Sequence, residues 1–280
     1  MTDAENASSP IRLANLPVVR EEGICVCGAG TMGKAIAELT ARHGYRTILF
    51  DIDLPHSDNP DITTTKNIND CIADIIIEAI IENEESKTAL FHELAKLNSR
   101  STIFATNTSS ISITSIAEKM PKPESFAGLH FFNPVKAMKL VEIIKTSHTS
   151  ETTVNRLEQF AASLNKTSVT CADSPGFIVN RVARPFYLEA LRLAENHDIP
   201  IPQIDELMKA TGFKMGPFEL MDLIGNDVNF KVSQTIHHAL GEPERLKPSN
   251  LQQQKVENNQ LGRKTGIGFY DYATKQKADN

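Results

Sequence analysis

The sequence predicts an α/β fold: an N-terminal doubly wound parallel sheet followed by an all-α C-terminal domain. Three observations carry that prediction. Short apolar runs alternate with stretches of helical periodicity as far as about residue 173. The first of those runs leads directly into Gly28-Ala29-Gly30-Thr31-Met32-Gly33. Beyond Asp173-Ser174-Pro175-Gly176 the alternation stops, and helical patterns alone follow to about Gln260.

Taken in order, residues 23–27 are apolar and end at a glycine turn, as a buried strand does. Residues 31–43 have helical spacing, with Ile36, Leu39 and Thr40 on one face with Met32, and Gly44 stops the helix. Residues 47–50 form a second strand that ends at Asp51. A polar, proline-containing link over 54–61 leads to a short third strand at 62–65. Residues 74–81 begin at Asp74 and are then apolar except for Glu78, the pattern of a central parallel strand covered on both faces. An amphipathic helix over 84–97, a strand over 101–106 and a helix over 111–119, stopped by Pro121, follow. Strands at 126–131 and 141–145, a helix at 149–164 and a strand at 167–171 complete the sheet.

Ser174 reads as the cap of a helix over 175–196 whose first position is Pro175. Further helices are expected over 202–211, 217–240 and 249–258. The expected organisation is therefore a mobile extension at 1–20, a nucleotide-binding domain at 21–173, a helical domain at 174–274 and a disordered tail at 275–280. No internal repeat is present.

Composition sets bounds on function. The chain has 280 residues, 40% hydrophobic and 23% charged, so a sizeable core is possible. Its net charge is -6 and no basic block stands out, which argues against nucleic acid or an anionic membrane as partner. The first 17 residues are polar and acidic, with no apolar stretch of a secretory signal and too few basic residues for a transit peptide. No segment is apolar for long enough to span a bilayer, and a cytoplasmic location is expected. Cys25, Cys27, Cys71 and Cys171 match the spacing of neither a zinc site nor a redox pair. Cys25 and Cys27 would face one side of a strand, and all are read as free thiols in a reducing compartment. No metal site is expected. His43, His56, His92, His148, His197, His237 and His238 read as surface or packing residues.

The glycine motif carries a specific chemistry. Gly28 permits a tight turn, Gly30 lets the backbone approach a pyrophosphate, and Gly33 lets helix and strand pack closely. The helix that starts at Thr31 and Met32 would present free N–H groups and a positive dipole end to phosphate. Asp51 lies where a ribose-binding carboxylate belongs. A carboxylate accepts hydrogen bonds from a ribose 2′-OH and repels a 2′-phosphate, so NAD is favoured over NADP. Asp53 is the weaker candidate for this role.

His130, in His130-Phe131-Phe132-Asn133-Pro134, ends one predicted strand, and Glu142 lies in the next. An imidazole can take a proton from an alcohol as hydride leaves the carbon, with a carboxylate fixing its tautomer. By spacing alone the pair reads equally as a satisfied core histidine and an unrelated glutamate. Ser109 or Ser110 reads either as a functional group or as the cap of the helix from Ile111. Asn180, inside a predicted helix, reads either as functional or as an exposed asparagine.

A longer series of segments resembles the L-3-hydroxyacyl-CoA dehydrogenases, including the bacterial 3-hydroxybutyryl-CoA dehydrogenases. Besides the glycine motif, it comprises Ile77-Glu78-Ala79-Ile80-Ile81-Glu82-Asn83 and Asn107-Thr108-Ser109-Ser110. Phe126-Ala127-Gly128-Leu129-His130-Phe131-Phe132-Asn133-Pro134 and Met138-Lys139-Leu140-Val141-Glu142 follow. Asp173-Ser174-Pro175-Gly176-Phe177-Ile178-Val179-Asn180-Arg181, Met215-Gly216-Pro217-Phe218-Glu219-Leu220 and Gly262-Arg263-Lys264-Thr265-Gly266-Ile267-Gly268-Phe269-Tyr270 complete it.

The resemblance implies reversible, NAD-dependent oxidation of an L-3-hydroxyacyl-CoA to the 3-oxoacyl-CoA, a reaction of fatty acid metabolism. It implies that His130 is the acid/base and that Glu142 orients and charge-balances it. Ser109 and Asn180 would hydrogen-bond the substrate near the reacting carbon. Glu82, Lys87 and Asn107 would line the nicotinamide end of the cofactor site. It also implies a homodimer formed by the helical domain.

Two departures stand out. Relatives carry a long helical hairpin that touches CoA after the second strand, where this chain has only the link at 54–61. Weaker CoA binding, a substitute contact or a different carrier is expected. Lys136 stands where relatives often have proline; a solvated lysine is the plainer reading. Two other functions share these motifs: dehydrogenation of a free hydroxy acid, and NAD binding without turnover.

Overall fold

The computed structural model describes residues 20–53 and 59–272. Residues 1–19 of the expected N-terminal extension, all of the expected tail and most of the 54–61 link lie outside them, while residue 20, expected in the extension, begins the first strand. The chain divides into two compact units. The first holds the described residues up to Asn107, with Met120–Val141 and Thr149–Ser168. The second holds Thr108–Lys119, Glu142–His148 and Val169 onward.

The sheet has eight strands: β1 Arg20–Cys27, β2 Tyr45–Phe50, β3 Ile62–Thr65, β4 Ile75–Glu78, β5 Ile103–Thr106, β6 Phe126–Phe131, β7 Leu140–Lys145 and β8 Thr167–Ala172. Their order across the sheet is β3-β2-β1-β4-β5-β6-β7-β8. Pairing is parallel from β3 through β6, with Cys27 beside Glu78 and Glu78 beside Thr106. Strand order reverses direction at β1, between β2 and β4. The carboxyl ends of β1 and β4 therefore form the crevice where open α/β sheets bind ligands.

β4 is shorter than its apolar run suggests. Ile75, Ile76, Ile77 and Glu78 are all buried, and the chain leaves the sheet at Ala79. The departure is fixed by a carboxylate: Glu78 accepts the N–H of Ile80 at 2.7 Å, which turns the backbone away from the ladder. Helix α1, Thr31–Arg42, buries Gly33, Ile36, Ala37, Leu39, Thr40 and Ala41, the stripe its spacing predicts. Helix α2, Glu84–Leu97, is capped by the Asn83 side chain and buries Lys87, Phe91 and Leu94 at helical spacing. Helix α4, Glu151–Ser163, is capped by Ser150 and buries Val154, Leu157, Phe160 and Ala161.

In the second unit, helix α3 covers only Ile113–Ala117 and is capped by Ser112 rather than by Ser109 or Ser110. Helix α5, Val179–His197, begins four residues later than predicted, and Ser174 does not cap it. Gly176 and Phe177 have φ of 77° and 47°, in the left-handed region, and the Phe177 N–H closes a turn on Ser174 at 2.9 Å. A helix cannot run through that turn. Helix α6 is Ile201–Ala210.

The single helix expected over 217–240 is two, α7 Pro217–Ile224 and α8 Asn226–Ala239. Gly225, at φ 104° and ψ 124°, separates them. Helix α9 is Asn250–Glu257, capped by Ser249 as expected. Tyr187, Leu188, Leu191, Ile204, Phe218 and Met221 form the core of this unit.

Two buried aspartates hold the second unit's ends together. Asp205 accepts the N–H groups of Phe218 and Glu219 at 2.9 and 3.0 Å, capping α7, and the Tyr270 hydroxyl at 2.8 Å. Asp222 accepts Phe269 N–H and Tyr270 N–H, each at 2.9 Å, and the Tyr272 hydroxyl at 3.1 Å. Burial, with the Asp222 charge, pushes the Tyr272 hydroxyl up to about 12. Among the described residues no helix is long and apolar enough to cross a membrane.

Candidate active site

The first unit carries the dinucleotide motif. Gly28 has φ 108°, and a Cβ there would stand 2.5 Å from the Ala79 carbonyl oxygen. A Cβ on Gly33 would stand 1.8 Å from the Gly28 oxygen. Both positions are closed to any side chain by backbone. Gly30 differs: a Cβ built there has nothing within 4 Å. Protein packing therefore does not require glycine at 30, and the space above it is open to a ligand. No side chain caps α1 and no acid lies in its first turn. Lys34 is the first residue whose N–H bonds back along the helix, to Gly30 at 3.0 Å. The N–H groups of Thr31, Met32 and Gly33 precede it, and a helix start of this kind fits a diphosphate.

Asp51 follows β2. Its Oδ2 accepts the Ala29 N–H at 2.6 Å, and its Oδ1 accepts the Asp53 N–H at 3.0 Å. The carboxylate is thus fixed beside the glycine turn. Asp53 is exposed, and its backbone serves to hold Asp51.

Lys87 is 1% exposed, and its Nζ lies 2.5 Å from Glu78 Oε1. Glu78 is fully buried and also accepts the Thr106 hydroxyl at 2.6 Å. Burial raises the Glu78 carboxyl above the ordinary range, while Lys87 and Thr106 oppose that rise. Glu82, 40% exposed, stands 3.3 Å from the same Nζ. Glu78, Glu82 and Lys87 thus form one group around the carboxyl end of β4. The resemblance named Glu82 and Lys87 as candidates; Glu78 and Thr106, which hold this group together, were not among them. The signal available was a lone carboxylate in an apolar strand, nine residues before a lysine.

Asn107 follows β5, and its side-chain oxygen accepts the Phe131 N–H at 2.8 Å. It anchors the backbone directly after His130. His130 itself is 6% exposed, in β6, with its ring 4.5 Å from that of Phe132. Lys136 is exposed, in line with the plainer reading.

The second unit carries Ser109, Glu142 and Asn180. Glu142 is fully buried, and its Oε1 accepts the N–H groups of Ile178 and Val179 at 3.0 and 2.8 Å. It caps α5, and Asn180 is the second residue of that helix rather than an interior one. The carboxylate and the amide are therefore brought to one helix start. The Asn180 carbonyl accepts Arg184 Nε at 2.9 Å, and Arg184 Nη1 donates to Ser233 at 2.8 Å, fixing that turn. Ser109 is half-buried and lies in the segment before α3. Asp173, absent from the sequence-based candidates, accepts the Ser112 hydroxyl and the Thr114 N–H, each at 2.8 Å. It holds the α3 segment in place.

Two family models match the chain. The model described as the 3-hydroxyacyl-CoA dehydrogenase NAD-binding domain matches residues 23–61 and 56–174. The one for the C-terminal domain of the same family matches 176–272. The first match is in two pieces that meet at the link between β2 and β3.

The chain is 40% identical to the 3-hydroxyadipyl-CoA dehydrogenase of Escherichia coli, over 93% of this chain and 61% of that one. It is 36% identical to the mitochondrial hydroxyacyl-coenzyme A dehydrogenase of Sus scrofa, over 95% of this chain and 96% of that one. That alignment spans 301 positions against 280 residues here, so the relative has residues with no counterpart in this chain. The crystal structure of 3-hydroxybutyryl-CoA dehydrogenase from Escherichia coli superposes with a TM-score of 0.86 at 39% identity, covering 91% of this chain and 60% of that one. The chain belongs to the 3-hydroxyacyl-CoA dehydrogenase family, with both the NAD-binding and the C-terminal domain of this NAD-dependent oxidoreductase family.

Proposed function

We propose that the chain oxidises a short-chain L-3-hydroxyacyl-CoA, such as 3-hydroxybutyryl-CoA, to the 3-oxoacyl-CoA, reversibly. The observation that carries this reading is the socket at Gly28, Gly30 and Gly33, open where a diphosphate belongs, in a chain matched by both family domains. NAD, when bound, accepts the hydride from the carbinol carbon. His130 takes the hydroxyl proton, and in reduction returns it. Glu142 is its carboxylate partner, and its own position is set by the α5 start. Ser109 and Asn180 hydrogen-bond the oxygen at the reacting carbon. Gly30, Thr31, Met32 and Asp51 hold the diphosphate and ribose, while Glu82, Lys87 and Asn107 line the nicotinamide end. The relatives' names, 3-hydroxyadipyl-CoA and 3-hydroxybutyryl-CoA dehydrogenase, support a 3-hydroxyacyl thioester of modest length.

A cytoplasmic location fits the four free cysteines. A homodimer through the helical unit fits its exposed apolar residues: Val182, Leu207 and Phe213 are 66%, 62% and 51% exposed. A groove of about 410 Å³ lined by Phe186, Leu193, Ile204, Leu207 and Met208 supports the same reading. A molar mass of one chain by light scattering would overturn it. The domain division at residue 173 is likewise retained as a proposal, and the family models meet there.

The split match at residues 56–61 favours a second reading, a free hydroxy acid or a shortened carrier as substrate. The test is NADH oxidation with acetoacetyl-CoA beside free acetoacetate and a pantetheine thioester, with His130→Gln as control. Preference for the CoA ester supports the proposal. Equal use of both thioesters means that the nucleotide end of CoA is not held. No turnover with either thioester, despite NADH binding, overturns the acyl-CoA assignment.

A further inference from the structure

Cys25 and Cys27 are two residues apart on β1, so both point to one side of the sheet. Cys71 comes from the segment between β3 and β4, just after a short 3-10 turn at Ile68–Asp70. The fold brings its sulfur to the other two. Cys25 Sγ and Cys27 Sγ are 3.9 Å apart, and all three sulfurs lie within 4.8 Å of one another. All three residues are 0% exposed. The Cys71 backbone is fixed there, since its carbonyl accepts Asn98 Nδ2 at 2.8 Å. The dehydrogenase chemistry has no use for this cluster.

We propose that Cys25, Cys27 and Cys71 form a three-sulfur site for a trivalent, thiophilic oxyacid of the arsenous acid class. Three arguments select this ligand. The first is geometry: three sulfurs on one pyramidal trivalent atom, at bonds near the zinc–thiolate length of about 2.3 Å, stand about 3.5 Å apart. The cluster needs a contraction of less than that bond length to reach this arrangement. The second is donor number. Structural zinc takes four ligands, whereas this group of cysteine, histidine and carboxylate donors contains three among the described residues.

The third is charge. Three thiolates around a monovalent or divalent ion leave a net negative charge in a fully buried site, which is unfavourable without a compensating cation. The neighbouring charge felt at Cys71 is that of Asp70, an anion. Three thiolates around a trivalent centre leave none.

The reaction is a ligand exchange without oxidation. Three sulfur bonds to the trivalent atom form and three of its hydroxyl bonds break. Each hydroxide leaves as water, taking the proton of one of the three thiols, Cys25, Cys27 and Cys71. Entry is through the 3-10 turn, none of whose three residues is buried, and beside which Ile72 is 47% exposed. Opening such a turn does not disturb β1.

The test is titration of the full chain with sodium arsenite, read by native mass spectrometry and by arsenic K-edge absorption. One arsenic per chain with three sulfur neighbours is expected. Cys71→Ala, Cys25→Ala and Cys27→Ala should each weaken binding by more than about a hundredfold, because one arm of a chelate is lost. Cys171→Ala should not change it. No bound arsenic, an oxygen neighbour in the wild-type spectrum, or tight binding by Cys71→Ala would overturn the proposal. So would stronger retention of zinc than of arsenite in a parallel titration. The wild-type spectrum decides the matter even if a variant fails to fold.

Discussion

Glu142 Oε1 accepts the N–H of Val179 at 2.8 Å, so the proposed partner of His130 is also the cap of α5. The same oxygen accepts Ile178 N–H at 3.0 Å. One carboxylate therefore carries a structural role and a proposed chemical one, and two substitutions separate them. Glu142→Ala leaves two N–H groups without their acceptor and should cost about 1–3 kcal/mol in urea unfolding. Glu142→Gln keeps an acceptor oxygen and should hold stability within about 1 kcal/mol, yet lower kcat by about 10²- to 10⁴-fold. Full turnover by the glutamine variant would remove Glu142 from the proton-transfer pair.

The glycines at 30 and 33 should respond in opposite ways. Gly30 sits at φ -70° and ψ -173°, extended backbone open to any residue. Gly30→Ala should therefore leave Tm unchanged while raising the Kd for NADH by about tenfold or more, because the methyl occupies the diphosphate's approach. Gly33→Ala meets the Gly28 oxygen and should destabilise the fold by about 1–3 kcal/mol or more. Unaltered NADH affinity in Gly30→Ala, by fluorescence titration, would place the diphosphate elsewhere.

Asp51→Asn keeps an acceptor for the Ala29 N–H and removes the charge. The ratio of kcat/KM for NADPH to that for NADH should rise at least about tenfold, since repulsion of the 2′-phosphate is gone. A ratio unchanged from wild type would show that another group selects the cofactor.

Glu78 supplies a pH dependence. Burial raises its folded carboxyl above the ordinary glutamate value. The native state then binds this proton more tightly than the unfolded chain, and the group's contribution to stability falls as pH rises. The fall begins near the ordinary glutamate value of about 4.3 and ends at the raised folded value. Compared with Glu78→Gln, the wild type should lose stability across that window, as followed by urea unfolding in steps from pH 4 to 7. Parallel curves would mean that Lys87 cancels the burial effect. Glu78→Ala, which strips the buried Lys87 of its nearest carboxylate, should cost about 3–5 kcal/mol.

Cys171 is half-buried, and burial, with the charges of Glu142 and Asp173, pushes its thiol up to about 11. Its alkylation by iodoacetamide should keep rising about tenfold per pH unit beyond pH 9, because the thiolate is the reacting form. Peptide mass spectrometry of quenched samples reads the rate. A plateau near pH 9 would show an ordinary thiol.

Much of the fold was legible because its signals are local. Helix α2 and strand β6 lie where periodicity put them, since Asn83 and Phe126 mark their starts within a few residues. The start of α5 was misplaced because Ser174 and Pro175 look like a cap and first turn. The left-handed backbone at Gly176 and Phe177 overrides them. The break at Gly225 was missed because an isolated glycine inside an apolar helix pattern is usually tolerated. Ser109 or Ser110 was the expected cap of the next helix, and the bond from Ser115 N–H to Ser112 at 3.2 Å gives that place to Ser112 instead.

The sequence by itself determined the dinucleotide socket, because the steric demands of Gly28 and Gly33 act within one turn. It also determined the alternation that builds the sheet, because side-chain period alone separates strand from helix. Tertiary structure decided which distant residues meet. Parallel register sets Cys27 beside Glu78, 51 positions on, and Glu78 beside Thr106. It is the same packing that seats Lys87 on Glu78, gathers Cys71 to Cys25 and Cys27, and delivers Glu142 to the start of α5. Apart from the lone carboxylate that points to Glu78 and Lys87, none of these pairs has a sequence signature, since each depends on which strand lies beside which and at what register.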